Sequence, residues 1–256
     1  MEWPTYLDHV SADAARLSEV ANLGLDSDVP CCAGWTVRDL VKHVGTVYTH
    51  KSMIIEEGWT ERQDRAISPP DDDPVEWFDG ATAHLLNVLA DHDPAEPVWT
   101  WEESDQTVGF WYRRVAHETL IHRIDAEQAH GLASEIDEDL AADGVDEILN
   151  VMMSGAPSWA TLELGDRVAR LEIPGRSWAG RLGTFSGTSP STEIVYSDEP
   201  ALELVGPDIE FQTVVSGSAG ALDQWLWGRA SLGDLTVQGD RSIAAAIRGV
   251  AREATQ

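Results

Sequence analysis

Through the first half of the chain, apolar residues recur at three- and four-residue steps, the spacing of amphipathic helices. Leu7, Val10, Ala14, Leu17 and Val20 or Ala21 form one stripe within residues 7–25. A second helix is predicted over residues 34–58. Thr36 is its N-cap, Asp39 completes a capping box three residues on, and Val37, Leu40, Val41, Val44 and Tyr48 form the stripe. A third opens where Asp73 can cap and Pro74 suits the first helical position, with Trp77, Ala81, Leu85 and Val88 facing inward. A fourth runs over residues 107–130 and stops at Gly131, a suitable C′ residue. Four helices with one apolar stripe each predict a four-helix bundle. The proline- and acid-rich residues 58–73 read as its crossover loop.

After a further helix near residues 137–153 the pattern changes. β-type segments appear at 167–173, 177–185, 192–197 and 209–215, punctuated by Gly, Pro and Ser. Helical patterns at 218–230 and 242–254 enclose a short strand at 235–239. The expected fold class is therefore α+β: a helical bundle over residues 1–155 and a smaller α+β domain over 156–256.

Bulk composition narrows the function classes. A chain of 256 residues with 43% apolar content can bury a globular core. No apolar run approaches the roughly 20 residues that cross a bilayer, and the opening "MEWPTYLDHV" lacks the basic and apolar regions of a signal peptide. A cytoplasmic protein is expected. The 45 acids against 17 Lys+Arg leave a net charge of -28, which repels nucleic acid and anionic membrane and excludes both as partners. Lys42 and Lys51 are the two lysines. Cys31 and Cys32 are adjacent, a spacing that rarely forms an unstrained disulfide. A reducing compartment and a buried structural role are expected for them.

Candidate chemistry concentrates in "AHETLIHRIDAE", residues 116–127. His117 and His122 are five apart, about 140° round a helix, so they cannot face one ion. That excludes the zinc-protease pattern, whose histidines are four apart. Glu118 and His122 are four apart and share a face. Asp125 continues that line forwards, and Trp111 and Val115 continue it backwards. Buried charges cost several kcal/mol unless compensated, and a metal ion would compensate these. A catalytic zinc takes three protein ligands, and His43, at the edge of the second helix's stripe, is the best third. His50 falls opposite the Val37 stripe, and His9, His84, His92 and His130 are peripheral. The plainer alternative, Glu118 and His122 as a pair on a solvated helix face, stays open on spacing alone.

"GWTVRDLVKHVG", followed about seventy residues later by "RRVAHETLIHRIDAEQAHG", resembles the mycothiol-dependent maleylpyruvate isomerase family, part of the DinB-like group of metal-binding four-helix bundles. In that family a Gly-Trp-Thr-x-x-[Asp/Glu]-Leu-x-x-His segment supplies one ligand. A later His-Glu-x-x-x-His-Arg-x-Asp-Ala segment supplies a Glu and a His. The resemblance implies His43, Glu118 and His122 as ligands of a divalent ion, zinc first among the candidates. "SGSAGALDQWLWGRASLGDLTVQGD" resembles the family's C-terminal domain more loosely. It implies that Arg229 helps to bind an anionic substrate; the alternative is an arginine that only ends a helix, where the macrodipole favours a cation. Asp125 and Arg123 read as supporting residues, not ligands.

The implied activity is an isomerase or thiol transferase. It would use mycothiol as thiol cosubstrate, activated at the ion, against a small and anionic electrophile. A zinc-dependent hydrolase and a non-catalytic metal-binding bundle are the competing classes. The chain carries no Ser-His-Asp motif, phosphate-cradling Gly loop or dinucleotide fingerprint.

Overall fold

The computed structural model describes residues 1–206 and 208–255. Contacts divide the chain into two compact units, Met1–Glu135 and Ile136–Gln256. This division falls well before the change from helical to β-type patterning near residue 155. The helix α5 (Glu138–Glu147) follows the division, and its buried Leu140, Ala141 and Val145 belong to the second unit, where it packs against α6 (Ala219–Trp227). Periodicity identifies a helix but not the surface it covers.

The first unit holds α1 (Trp3–Ala21), α2 (Val37–Glu56), α3 (Pro74–Asp91) and α4 (Val108–Ala129). They pack as α1 on α4, α2 on α3, α1 on α3 and α2 on α4. The predicted stripes form this core: Val10, Leu17, Val37, Leu40, Val44, Tyr48 and Leu85 are fully buried. The Thr36–Asp39 capping box forms at the start of α2, and Gly131 takes the left-handed φ of 67° that ends α4. Asp73 differs from expectation. It lies at φ 49° and its side chain makes no capping bond, so Pro74 alone marks the start of α3.

α4 departs from the one-stripe pattern. It is buried around almost its whole circumference, with Arg114, His117, Thr119, His122, Arg123, Asp125 and Glu127 among its buried residues. Such polar groups persist in a core only when partnered. Arg123 Nη1 faces Asp13 Oδ1 at 3.3 Å, and Glu127 Oε1 accepts from Arg16 Nε at 2.9 Å. α2 and α3 approach closely at Gly45, where a Cβ would lie 2.4 Å from the Trp77 ring. Only glycine leaves room for the indole beside the turn that carries His43.

The second unit builds a five-stranded mixed sheet in the order β3-β2-β1-β4-β5. Its strands are β1 (Ala160–Ile173), β2 (Arg176–Thr188), β3 (Val195–Val205), β4 (Thr213–Ser216) and β5 (Thr236–Gly239). Pro174 and Gly175, the latter at φ 79°, close the β1–β2 hairpin, the arrangement a type II turn requires. β1 pairs with β4 in parallel and the other pairings are antiparallel. The strand expected over 192–197 runs instead from Val195 to Val205, through Pro200. β3 is an edge strand, where a missing N–H is tolerated. The amphipathic α7 (Arg241–Ala254) buries Ile243, Ile247 and Val250 and packs on β3 and α6. Among the described residues, no helix is long and apolar enough to cross a membrane.

Candidate metal centre

α2 and α4 bring together the three residues that the motifs single out. His43 projects from α2, two turns after the Thr36 cap, and Glu118 and His122 project one turn apart from α4. His43 Nε2 lies 3.3 Å from Glu118 Oε1, and His122 Nε2 lies 3.2 Å from the same oxygen. One donor atom from each residue falls within 4.8 Å of the others, the sole such trio of His, Cys, Asp or Glu among the described residues. The imidazole rings stand 5.1 Å apart, nearly perpendicular. The donors are two neutral-capable nitrogens and a carboxylate oxygen, a set that suits a divalent transition metal. Two nitrogens converging on one oxygen leave a small volume in which an ion could touch all three.

Surrounding groups hold these donors in place. Asp125 is fully buried, and its Oδ2 accepts from His122 Nδ1 at 3.0 Å. This carboxylate–imidazole pairing orients the ring and directs Nε2 towards the centre. Asp125 Oδ2 also accepts from Cys32 Sγ at 3.7 Å. Arg114, one turn before Glu118, donates from Nη2 to Glu118 Oε2 at 3.4 Å. The Trp35 ring packs 4.9 Å from the His43 ring, in a turn closed by the bond from Trp35 N–H to Cys32 O. One turn beyond the site, Tyr48 and Thr119 share a hydrogen bond that joins α2 to α4, and burial pushes the Tyr48 phenol above its ordinary range.

The electrostatics favour charge on both partners. Burial disfavours the Glu118 carboxylate, but His122, His43 and Arg114 outweigh it and hold Glu118 well below the usual carboxylate range. Burial likewise disfavours the His122 imidazolium, but Asp125 and Glu118 outweigh it and raise His122 to about 9. Without a metal the trio is thus a proton-stabilised cluster. A cation held there would take the place of the Nε2 proton.

The other candidates fall elsewhere. His117 is buried on the opposite side of α4, edge-on to Tyr6 of α1 at 6.4 Å. His50, expected to lie opposite the Val37 stripe, does not face away from His43. Seven residues are close to two full turns, so the two share a phase. Axial distance separates them, about 10 Å at 1.5 Å per residue, and the His50 ring packs against Trp59 at 5.4 Å. Arg229 lies in the second unit just past Gly228, which ends α6 at φ 80°, and its Nη1 donates to Trp227 O at 2.6 Å. Cys31 is exposed and Cys32 half-buried, and neither is in a disulfide. The buried role expected for the pair is therefore not the one Cys31 has, because both sit in the turn before α2 and not under a helix. Spacing missed Arg114 and the Trp35 and Cys32 contacts. Arg114 had a signal, four residues before Glu118; the loop contacts had none.

A family model described as the mycothiol maleylpyruvate isomerase N-terminal domain matches residues 7–127. A second, described as the MDMPI C-terminal domain, matches residues 139–246. The fold is similar to the crystal structure of a mycothiol-dependent maleylpyruvate isomerase and to that of a histidine-to-alanine mutant of this enzyme. Each has a TM-score of 0.62 and 15% sequence identity, over 94% of this chain and 95% of the other. No curated protein matches significantly. Both domain models of one family, in the same order, account for nearly the whole sequence, and the chain belongs to the mycothiol-dependent maleylpyruvate isomerase family.

Proposed function

We propose that this protein is a metal- and mycothiol-dependent isomerase of a small anionic electrophile, with His43, Glu118 and His122 as the metal ligands. Its family makes it an enzyme of thiol-dependent isomerisation. The observation that carries the metal reading is the convergence of two imidazole Nε2 atoms on Glu118 Oε1, with His122 Nδ1 taken by buried Asp125. When bound there, a divalent ion would acidify a coordinated thiol and make it a nucleophile at neutral pH.

The protein's own residues would then do five things. Asp125 holds the His122 tautomer, and Arg114 occupies Glu118 Oε2 so that Oε1 stays turned to the centre. Trp35 limits rotation of His43. His43, whose side chain is 37% exposed, forms the solvent-facing edge through which ligands reach the centre. Arg229 is proposed to hold an anionic group of the substrate, a role supported by the family resemblance of its segment. No side-chain nucleophile is needed, because the thiol brings its own sulfur. Addition of a thiolate to an activated double bond, rotation about the resulting single bond, and loss of the thiol would complete an isomerisation. Thiol transfer stops after the addition.

The test is elemental analysis of the purified protein with calorimetric titration of mycothiol into metal-loaded and chelator-stripped samples, followed by an assay of maleylpyruvate isomerisation. One divalent ion per chain, thiol binding to the loaded form alone, and thiol-dependent turnover are expected. Equal thiol affinity for both forms would refute thiol activation. Turnover of an ester or amide without thiol would make the protein a hydrolase.

A further inference from the structure

The exposed edge of His43 opens into a cleft of ≈ 470 Å³, walled by Trp35, Lys42, Thr46 and Pro69. That size lies within the range of small-ligand sites. Lys42 is the sole cation among the residues lining it, and one of two lysines in a chain of net charge -28. It adjoins His43 in sequence, so an ammonium and a candidate metal ligand serve the same opening.

Lys42 already holds a carboxylate. Its Nζ lies 2.8 Å from Asp71 Oδ1, which belongs to the connection between α2 and α3; the Lys42 side chain is 19% exposed and that of Asp71 fully exposed. The same connection supplies Pro69 to the cleft wall. The acid that lines the cleft, Asp39, is committed elsewhere: its Oδ2 accepts from Thr36 N at 2.8 Å and Thr36 Oγ1 at 2.7 Å, capping α2. Asp71 caps no helix, and among the described residues its bond is to Lys42. An ion pair with one member fully hydrated is held weakly, and a lysine is a point charge on a flexible stem that can exchange partners. An incoming carboxylate that Trp35 and Pro69 shelter from water would be the better partner.

We propose that Lys42 is the specificity-determining cation of this cleft: it binds a carboxylate of a small organic acid beside His43, and Asp71 is the internal carboxylate which that acid displaces. The assignment rests on the reading of the centre as one that acts on a small anionic electrophile, and it adds to Arg229 a second cation that reads the anion, this one beside His43. Lys42 contacts the substrate's charge and not the reacting bond.

The experiment titrates maleate, and separately its uncharged dimethyl ester, into the whole metal-loaded protein by calorimetry. Lys42→Met should weaken maleate about tenfold, the loss expected for one charge-assisted hydrogen bond, while Lys42→Arg keeps it within about threefold. Asp71→Asn should tighten maleate and should have no effect in the Lys42→Met background. Ester binding should be indifferent to all of them. Maleate affinity unchanged in Lys42→Met, or weakened in Asp71→Asn, overturns the proposal. Turnover kinetics separate it from the reaction it rests on. Thiol-dependent isomerisation whose KM ignores Lys42→Met overturns the cleft and keeps the reaction. Lys42-dependent maleate binding in a protein without thiol-dependent turnover keeps the cleft and overturns the reaction.

Discussion

Loading the centre with metal must displace a proton, and the structure sets the size of that competition. His122 Nδ1 and Nε2 each face a carboxylate oxygen, Asp125 Oδ2 at 3.0 Å and Glu118 Oε1 at 3.2 Å. Burial alone would leave the ring neutral; the two carboxylates outweigh it and raise the imidazolium to about 9. A ring nitrogen binds metal only after losing its proton. At pH 7 the proton therefore competes about a hundredfold, or about 3 kcal/mol. The expected result is an apparent Zn²⁺ or Co²⁺ affinity that rises about tenfold per pH unit from pH 7, levels near pH 9, and is accompanied by proton release. Glu118, held well below the usual carboxylate range, is ionised throughout and adds no slope. Asp125→Asn keeps an acceptor for Nδ1 but removes one charge. It should move the levelling point to lower pH and lower the plateau affinity about 10- to 100-fold. Competition against a chromophoric chelator at each pH gives the affinity, and calorimetry in two buffers of different ionisation enthalpy counts the protons. An affinity equal at pH 7 and pH 9, or a levelling point that Asp125→Asn leaves in place, would refute this reasoning.

Stability of the chelator-stripped protein should carry the same signature with its own sign. His122 is raised above its ordinary 6.5, so its contribution is complete below about pH 6.5 and disappears as pH climbs through about 9. Glu118 is lowered, so its contribution is present above its ordinary 4.5 and disappears on acidification. Thermal melts of stripped protein should thus peak between about pH 4.5 and 6.5, and a melt that rises from pH 7 to 9 would contradict the pairing. Replacing His43, Glu118 or His122 by Ala should each sharply lower metal occupancy by elemental analysis. His117→Ala should cost stability, because the ring is buried against Tyr6, yet leave occupancy unchanged. Gly45→Ala would put a Cβ 2.4 Å from the Trp77 ring. It should cost about 1–3 kcal/mol by urea denaturation and weaken metal binding, since His43 lies two residues away; full stability would show that Trp77 yields freely. Arg229→Ala should lower turnover of an anionic electrophile while leaving thiol affinity nearly intact in calorimetry, and an equal loss of both would assign Arg229 to the fold.

The sequence alone determined the helices of the bundle and the shared face of Glu118 and His122, because both depend on local geometry; His43 joined them through the family resemblance. A stripe such as Val37–Leu40–Val44–Tyr48 repeats with the helix period, so its burial follows wherever the helix packs. Glu118 and His122 share a face because they are four apart, and His117 is excluded because it is not. The capping box at Thr36 and the stop at Gly131 are equally local. Tertiary structure decided what depends on which helix lies beside which. The sequence set His50 aside as opposite the Val37 stripe, though it shares the phase of His43; what separates the two is the crossing of α2 and α4, which puts Glu118 level with His43 and about two turns short of His50. The sequence marked α5 as helical, but only its packing against α6 put it in the second unit. β3 passes through Pro200 because it is an edge, a property of sheet order. α4 carries charges on buried faces because Asp13, Arg16 and Cys32, each about a hundred residues earlier in the chain, meet Arg123, Glu127 and Asp125 there. No period in the sequence encodes contacts at that separation, and they hold α4, with Glu118 and His122, in place.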